Sequence, residues 1–401
     1  MIYKTRFLWD ILAQELETRE AVVVTGARQS GKTTTLRWLL DQVQSDNKIF
    51  LDLALESTRT LFEEYDAEGI AHALQTRGVK LTERAYVAID EIQYSKKVPL
   101  VVKYLIDHYR MKFYLTGSSA FYLKNQFSES MAGRKLIFEL FPLSFQEFLV
   151  FKQITYALPA LFTNATDINA CTFNSYAFNV LQAYYEEFIL YGGFPAVVLE
   201  QNVQRKQMLL DEIYTSYIDL DVEHLSDFKA IAELKRLIPL LAARIGSRIN
   251  IEELSVIVGL SQPTVRTYVD FLQKTYLIRL LPVTSGNRDV KTRKQSKLYF
   301  VDTGIASRNA DISGGAKFEN ALCHQLQRYG ALSYYDGLGE IDFVLDTGAT
   351  RYALEAKETP VPAQKKMLHS RAAQLGVPDF NLIGRYKSAK YHNYLWGGLI
   401  A

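Results

Sequence analysis

The stretch AVVVTGARQSGKTTTLRWLLDQV, positions 21–43, constrains the fold of this 401-residue chain more than any other. An apolar run from Ala21 to Thr25 leads into a glycine loop, and Leu36, Leu39, Leu40 and Val43 follow at helical spacing. The pattern predicts a buried strand, a tight loop and a helix in immediate succession. The loop fits G-x-x-x-x-G-K-[ST] at Gly26, Gly31, Lys32 and Thr33. Glycines allow backbone N–H groups to turn inward around phosphate oxygens, and the helix N-terminus adds its partial positive charge. The expected nucleotide-binding residues are therefore Gly26, Ala27, Arg28, Gln29, Ser30, Gly31, Lys32, Thr33 and Thr34, with ATP and Mg²⁺ as the expected ligands. Lys32 is placed to reach the β and γ phosphates, and the Thr33 hydroxyl to hold the metal.

Three further segments carry the same chemistry. RAYVAIDEIQY is an apolar strand, Ala85 to Ile89, ending in Asp90 and Glu91. At the carboxyl end of a parallel strand Asp90 suits the metal's water shell, and Glu91 suits the orientation or deprotonation of an attacking water. MKFYLTGSSA predicts another buried strand, Lys112 to Thr116, followed by Ser118 and Ser119, either of which suits a γ-phosphate sensor or a helix cap. MAGRKLIFELFPLSFQEF places Arg134 after a glycine, ahead of an aromatic-rich stretch.

Together GARQSGKT, AIDEIQ, YLTGSSA and AGRKLIFELFPLSFQEF resemble the AAA-type ATPases widespread in archaea and bacteria that carry an uncharacterised C-terminal region. The resemblance implies that Lys32 and Thr33 bind nucleotide, that Asp90 and Glu91 form the second acidic motif, and that Ser118 or Ser119 is the sensor. It also implies that Arg134 is a finger arginine acting in trans, and hence a homo-oligomeric ring such as a hexamer.

The rest of the chain bounds the partners. Lys+Arg number 46 against 44 Asp+Glu, so the net charge of +2 says little. Between Arg236 and Phe300, however, eleven basic residues face four acids, a local +7 suited to a polyanion. Two cysteines are too few for a disulfide framework, and no apolar window is long enough for a membrane span, which points to a reducing cytoplasm and no membrane.

Residues 151–235 are aromatic-rich with a helical pattern, and Gly192, Gly193 and Pro195 in YGGFPAV predict a helix stop and restart. The plain reading is a lid or connector packed on the ATPase. In residues 236–312, Leu254, Ile257 and Val258 form a short amphipathic helix that ends at Gly259. Ser261 then opens a second helix through Val265, Tyr268, Val269 and Leu272, and two strands follow. This is the order of a winged helix. Gln262, Thr264, Arg266 and Thr267 are expected to face a DNA major groove, with Arg288, Lys291, Arg293, Lys294 and Lys297 near phosphates. A protein-contact module is the competing reading.

Residues 313–401 open with GGAKFENALCHQLQRYG, a helix carrying Glu319, and continue with EIDFVLDTG and RYALEAKE. Strand periodicity puts Glu355 and Lys357 on one face, and the Asp346-Thr347-Gly348 turn predicts antiparallel pairing. Glu319, Asp342 and Glu355-x-Lys357 resemble the PD-(D/E)xK nuclease superfamily. That resemblance implies Glu319, Asp342 and Glu355 as Mg²⁺ ligands and Glu355 and Lys357 as catalytic groups.

The expected fold class is α/β. An AAA-like P-loop ATPase with a parallel sheet (1–150) is followed by a helical connector (151–235), a winged helix (236–312) and a small α/β PD-(D/E)xK-like domain (313–401). The expected function is ATP hydrolysis coupled to DNA binding or remodelling. A nucleotide-switched interaction protein and an ATP-licensed Mg²⁺-dependent endonuclease are the alternatives.

Overall fold

A computed structural model describes residues 3–117, 131–163, 166–223, 231–284, 295–337 and 339–401. The chain forms two compact units, Met1–Phe141 with Lys274–Tyr276, and Pro142–Gln273 with Leu277–Ala401.

In the first unit a parallel sheet has the order β2-β3-β4-β1-β5, built from β1 (Ala21–Thr25), β2 (Lys48–Asp52), β3 (Ala85–Asp90), β4 (Met111–Gly117) and β5 (Lys135–Glu139). Its helices are α1 (Phe7–Ala13), α2 (Lys32–Gln42), α3 (Glu56–Glu64), α4 (Ala67–Thr76) and α5 (Val98–His108). β1, β3 and β4 are buried throughout, which is why they read as continuous apolar runs and not as alternations. Strand periodicity then divides their side chains between two cores. Ala21, Val23, Val87, Ile89, Phe113 and Leu115 join one, while Val22, Val24, Tyr86, Ala88 and Tyr114 join the other with Leu36 and Leu39 of α2. Because all five strands are parallel, their carboxyl ends share one edge, and the phosphate loop and Asp90 lie along it.

The second unit begins with helices α6 (Phe145–Phe151), α7 (Ser175–Tyr191), α8 (Pro195–Leu199) and α9 (Val203–Ser216). The PLSFQEF segment is a capping box: Glu147 N–H donates to Ser144 Oγ at 3.3 Å, and Ser144 N–H donates to Glu147 Oε2 at 2.9 Å. The region read as a lid on the ATPase belongs to this unit and packs on its carboxyl-terminal part. Tyr185 of α7 donates to Gln325 Oε1 at 2.9 Å and meets Trp396 edge-on, and Glu186 takes both ends of the Arg385 guanidinium at 2.6 and 3.0 Å.

The double glycine after α7 has a steric cause. A Cβ on Gly192 would collide with the Asp302 carboxylate, and one on Gly193 with the Leu143 carbonyl. Gly193 N–H donates to Asp302 Oδ2 at 2.7 Å, and Leu143 N–H donates to Gly193 O at 2.7 Å. Asp302 also caps the next helix, accepting from Ile305 N–H at 3.1 Å.

Next come α10 (Ile231–Ala242), α11 (Ile251–Val258), α12 (Gln262–Lys274), β6 (Ile278–Leu281), β7 (Val283–Thr284) and β8 (Lys297–Phe300). β6 and β8 are antiparallel, and Arg248 bridges to Lys297, so three helices and a small sheet take the expected order. The segment does not close as a separate module. After α13 (Thr303–Asn309) and α14 (Gly314–Leu326) come β9 (Ala331–Asp336), β10 (Glu340–Asp346), β11 (Arg351–Lys357), α15 (Pro362–Leu375), β12 (Asp379–Gly384) and β13 (Leu395–Trp396). Their sheet has the order β13-β12-β11-β10-β9-β7, so the strand that leaves the β6–β8 pair becomes this sheet's edge one residue later. The boundary expected at 312/313 is crossed by continuous hydrogen bonding. β10 and β11 are antiparallel across the Asp346–Gly348 turn, whereas β11 and β12 are parallel.

Gly193→Ala is expected to cost about 1–3 kcal/mol through the forced shift against Leu143, read as a lower urea midpoint. Asp302 gives a pH signature. Burial pushes its carboxyl up to about 6 despite the N–H donors. The folded value lies above the unfolded value of about 3.9, so this stability is fully present below pH ~4 and lost as pH rises through ~6. Urea midpoints across pH 4–7 should show that slope in the native protein and lose it in Asp302→Asn.

Candidate functional site: a phosphate loop and a separate carboxylate cluster

The loop between β1 and α2 is shaped by close backbone approach. Gly26 has φ +149°, and a Cβ there would collide with the Leu140 carbonyl, while Leu140 N–H donates to Thr25 O at 2.7 Å. Gln29 at φ +57° and Gly31 at φ +101° complete the turn, the kind of backbone in which successive amides can form an anion-binding concavity. Lys32 is buried at the first position of α2, and its ammonium donates to the carbonyls of Gly26 at 3.1 Å and Ala27 at 2.9 Å. Those are the loop's own acceptors, which an arriving phosphate would exchange for its oxygens. The buried Ser30 hydroxyl has no hydrogen-bond partner. Glycine turn, buried cation and open hydroxyl together fit a phosphate chain. Thr33 is half-buried in the first turn of α2, and Thr34 is exposed.

The expected acidic pair ends β3. Asp90 is buried and meets the Thr116 hydroxyl, and its Oδ1 accepts from Glu91 N–H at 3.1 Å. Glu91 takes a left-handed conformation, φ +55°, and its carboxylate meets the Gln93 amide. β4 lies between β3 and β1, so Asp90 stands about 10 Å from the loop, two strand spacings away. That gap suits a metal with its water shell.

Sequence reasoning missed three contributors. Thr116 is the hydroxyl that engages Asp90, and Ser118 and Ser119 lie outside the described residues. Gln93 was visible in DEIQ without a role. Arg6 had no sequence signal at all, yet it is buried and donates to Ser30 O at 2.8 Å and Phe141 O at 2.7 Å, bracing the loop from behind. Trp9 of the same helical segment donates to Thr35 Oγ1 at 3.1 Å and stacks on Trp38 at 4.5 Å.

Arg134 takes a different position. Its carbonyl accepts from Ala21 N–H at 2.8 Å, which places it at the amino ends of the strands, opposite the phosphate loop. Its guanidinium pairs with Asp107 at 2.9 Å. It cannot serve the loop of its own subunit.

In the second unit α12 buries Val265, Tyr268, Val269, Phe271 and Leu272 and exposes Gln262, Arg266 and Thr267. Thr264 is partly buried and shares a 2.8 Å hydrogen bond with Ser261 at the helix start. Arg288, Lys291, Arg293 and Lys294 lie outside the described residues. Several of the local positive charges are satisfied internally. Arg236 donates to Val258 O at 2.8 Å, Arg244 pairs with Glu253 at 2.5 Å, and Arg248 pairs with Asp336 at 2.7 Å.

Lys297 is a correction. Expected at DNA phosphates, it is 2% exposed, with its ammonium 2.7 Å from Glu340, 3.3 Å from Asp342 and 3.4 Å from Glu319. The cost of taking this ammonium out of water is offset by the carboxylates that receive it. Burial would lower its pKa, but those three carboxylates outweigh burial and hold it above the usual lysine value.

Fold and strand order do bring Glu319, Asp342, Glu355 and Lys357 together, but not as a metal centre. Glu319 Oε1 accepts from Tyr299 at 2.6 Å as well as from Lys297, and Asp342 Oδ2 accepts from Ala356 N–H at 3.0 Å. Glu355 is buried between Lys357 at 2.9 Å and Arg371 at 3.3 Å. Burial, then the Asp342 charge, pushes the Glu319 carboxyl upward, and the Lys297 ammonium opposes both. Among the described residues no group of three acids, histidines or cysteines is arranged to hold a metal. The expected Mg²⁺ set therefore does not fit, because each of its carboxylates is already engaged by the protein's own donors.

Comparison with known proteins identifies the type of the N-terminal domain. Residues 18–149 match the family described as AAA domain, and residues 182–315 match a domain of unknown function, DUF8612. An uncharacterized protein of Haemophilus influenzae is 26% identical over 332 residues, covering 80% of this chain and 76% of its own length. An uncharacterized protein of Methanocaldococcus jannaschii is 26% identical over 315 residues, covering 77% of this chain and 66% of its own. Among solved structures, the Walker-type ATPase PABY2304 of Pyrococcus abyssi is 15% identical, with a TM-score of 0.47 over 77% of this chain and 96% of that one. The N-terminal part is thus an α/β domain of P-loop ATPase type with a parallel sheet, matching the AAA domain. No described helix is long and apolar enough to cross a membrane.

Gly26→Ala is expected to displace the loop from Leu140 and weaken nucleotide binding at least tenfold, measured by fluorescent-nucleotide titration. Gly78→Ala has the space for a Cβ at a positive φ away from the loop, so it should leave affinity unchanged.

Proposed function

We propose that the N-terminal unit binds and hydrolyses ATP, and that the second unit couples this cycle to duplex DNA through the exposed face of α12. The observation that carries the ATPase reading is the buried Lys32 ammonium, drawn onto two carbonyls of a glycine loop at a helix N-terminus, on the same sheet edge as Asp90. Loop amides from Gly26 to Gly31, with Lys32, bind the phosphates. Thr33 and Asp90 would hold Mg²⁺, which would supply charge neutralisation for the phosphates. Glu91, held by its left-handed backbone and by Gln93, orients the attacking water and takes its proton. Arg134, at the opposite sheet end, serves a neighbouring copy in a homo-oligomeric ring, and its Asp107 pair keeps the guanidinium in place until then.

The DNA half of the proposal rests on Gln262, Arg266 and Thr267 lying exposed on one helix face. The groove of about 580 Å³ beside them also carries Glu252 and Asp270, so recognition there is not purely electrostatic. A second reading, a partner-protein module switched by nucleotide, is favoured by Val256 and Ile257 on α11, which are 78% and 48% exposed.

Lys32→Ala should abolish ATP turnover, and Glu91→Gln should lower it by a factor of 10²–10⁴ while nucleotide binding persists. Duplex, single-stranded or branched DNA should stimulate turnover, and Arg266→Glu should remove the stimulation. Unstimulated turnover with every DNA, together with partner loss in Val256→Lys, would establish the second reading.

A further inference from the structure

We propose that Lys297 is the resident cation of the carboxylate cluster on the C-terminal sheet. Its ammonium takes up the charge of the acids around it, so the cluster is a lysine-neutralised anchor and not a phosphodiester-cutting centre. The geometry is specific. Lys297 comes from β8, which pairs with β6 and bridges to Arg248, whereas its three carboxylate partners come from α14 and β10. The ammonium is therefore delivered to the acids from outside their sheet.

The surroundings complete the assignment. Tyr299, two residues along β8 and on the same face, donates to Glu319 at 2.6 Å, so one strand supplies both donors. Arg248 adds an outer layer on Asp336 and Glu340, at 2.7 and 3.1 Å. Lys357 and Arg371 neutralise Glu355 at 2.9 and 3.3 Å. Counting the groups in these contacts, five acids (Glu319, Asp336, Glu340, Asp342, Glu355) face four cations (Arg248, Lys297, Lys357, Arg371), a net of −1. Removal of the Lys297 charge alone gives −2 and leaves Glu319, Glu340 and Asp342 without the donor they share.

This inference stands apart from the ATPase reading, and its test uses the full chain without nucleotide. Mn²⁺ binding is followed by loss of the free-ion EPR signal, with thermal melts in EDTA and in Mn²⁺. The native protein should show no Mn²⁺ binding that depends on Asp342, no Mn²⁺ shift of its melting temperature and no Asp342-dependent plasmid nicking. Lys297→Gln should melt on the order of 5–10 °C lower in EDTA. Lys297→Gln with Asp342→Asn should recover part of that loss, because one of the carboxylates left without its cation is then neutral. Asp342-dependent Mn²⁺ binding or nicking by the native protein would overturn the proposal. So would Lys297→Gln that matches the native melting temperature. If Lys297→Gln does not fold, the native arm with Asp342→Asn alone decides the matter.

Discussion

A lysine ammonium held out of water by three carboxylates sets the terms for the second unit. Each carboxylate comes at a different position, Glu319 on α14 and Glu340 and Asp342 on β10, and the lysine on β8. The desolvation of such a group is offset only when every partner is in place, because leaving one charge unpaired costs several kcal/mol. Helix, strand and incoming β8 must therefore assemble together. The passage of β6 into β7, where the edge of the larger sheet begins, ties the same pieces by backbone hydrogen bonds. The segment from α11 to β8 and the C-terminal sheet are consequently one body, and motion between them would break both the charge cluster and the shared strand.

Close backbone approach plays a comparable part elsewhere in each unit. Gly26 lets β1 turn over the Leu140 carbonyl, and Gly193 lets the chain after α7 pass the Leu143 carbonyl. In the first case the consequence is chemical, since the loop amides can form an anion-binding concavity and Lys32 is held at the helix N-terminus. In the second it is architectural, since Asp302 can then reach both the Gly193 amide and the first turn of α13. The same residue type at a tight approach makes a binding loop in one place and a joint in another, depending on what the freed amides face.

Much of this could be read along the chain. β1, β3 and β4 were legible because strands buried on both faces need continuous apolar runs, and the loop motif places its lysine by local geometry alone. The turn at Asp346–Gly348 and the pairing of β10 with β11 were legible for the same local reason. Lys297 was misread because charge summed over a window treats a basic residue as surface, while its partners lie 22 to 45 residues away. Arg6 was invisible because its acceptors, Ser30 O and Phe141 O, are backbone carbonyls that no side-chain pattern reports. The helices after Phe145 read as a connector because helical periodicity shows that a face is buried without showing against what.

The sequence by itself determined the parallel ATPase-type sheet, the phosphate loop with Lys32, the acidic end of β3, and the helix and strands that carry Glu319, Asp342, Glu355 and Lys357. These follow from local rules of apolar period, glycine freedom and turn chemistry. Tertiary structure alone decided that Arg134 faces away from its own loop, that Thr116 meets Asp90, and that the C-terminal carboxylates surround a lysine. Those outcomes depend on which distant groups share a low-dielectric space, where a charge must find its partners or stay out.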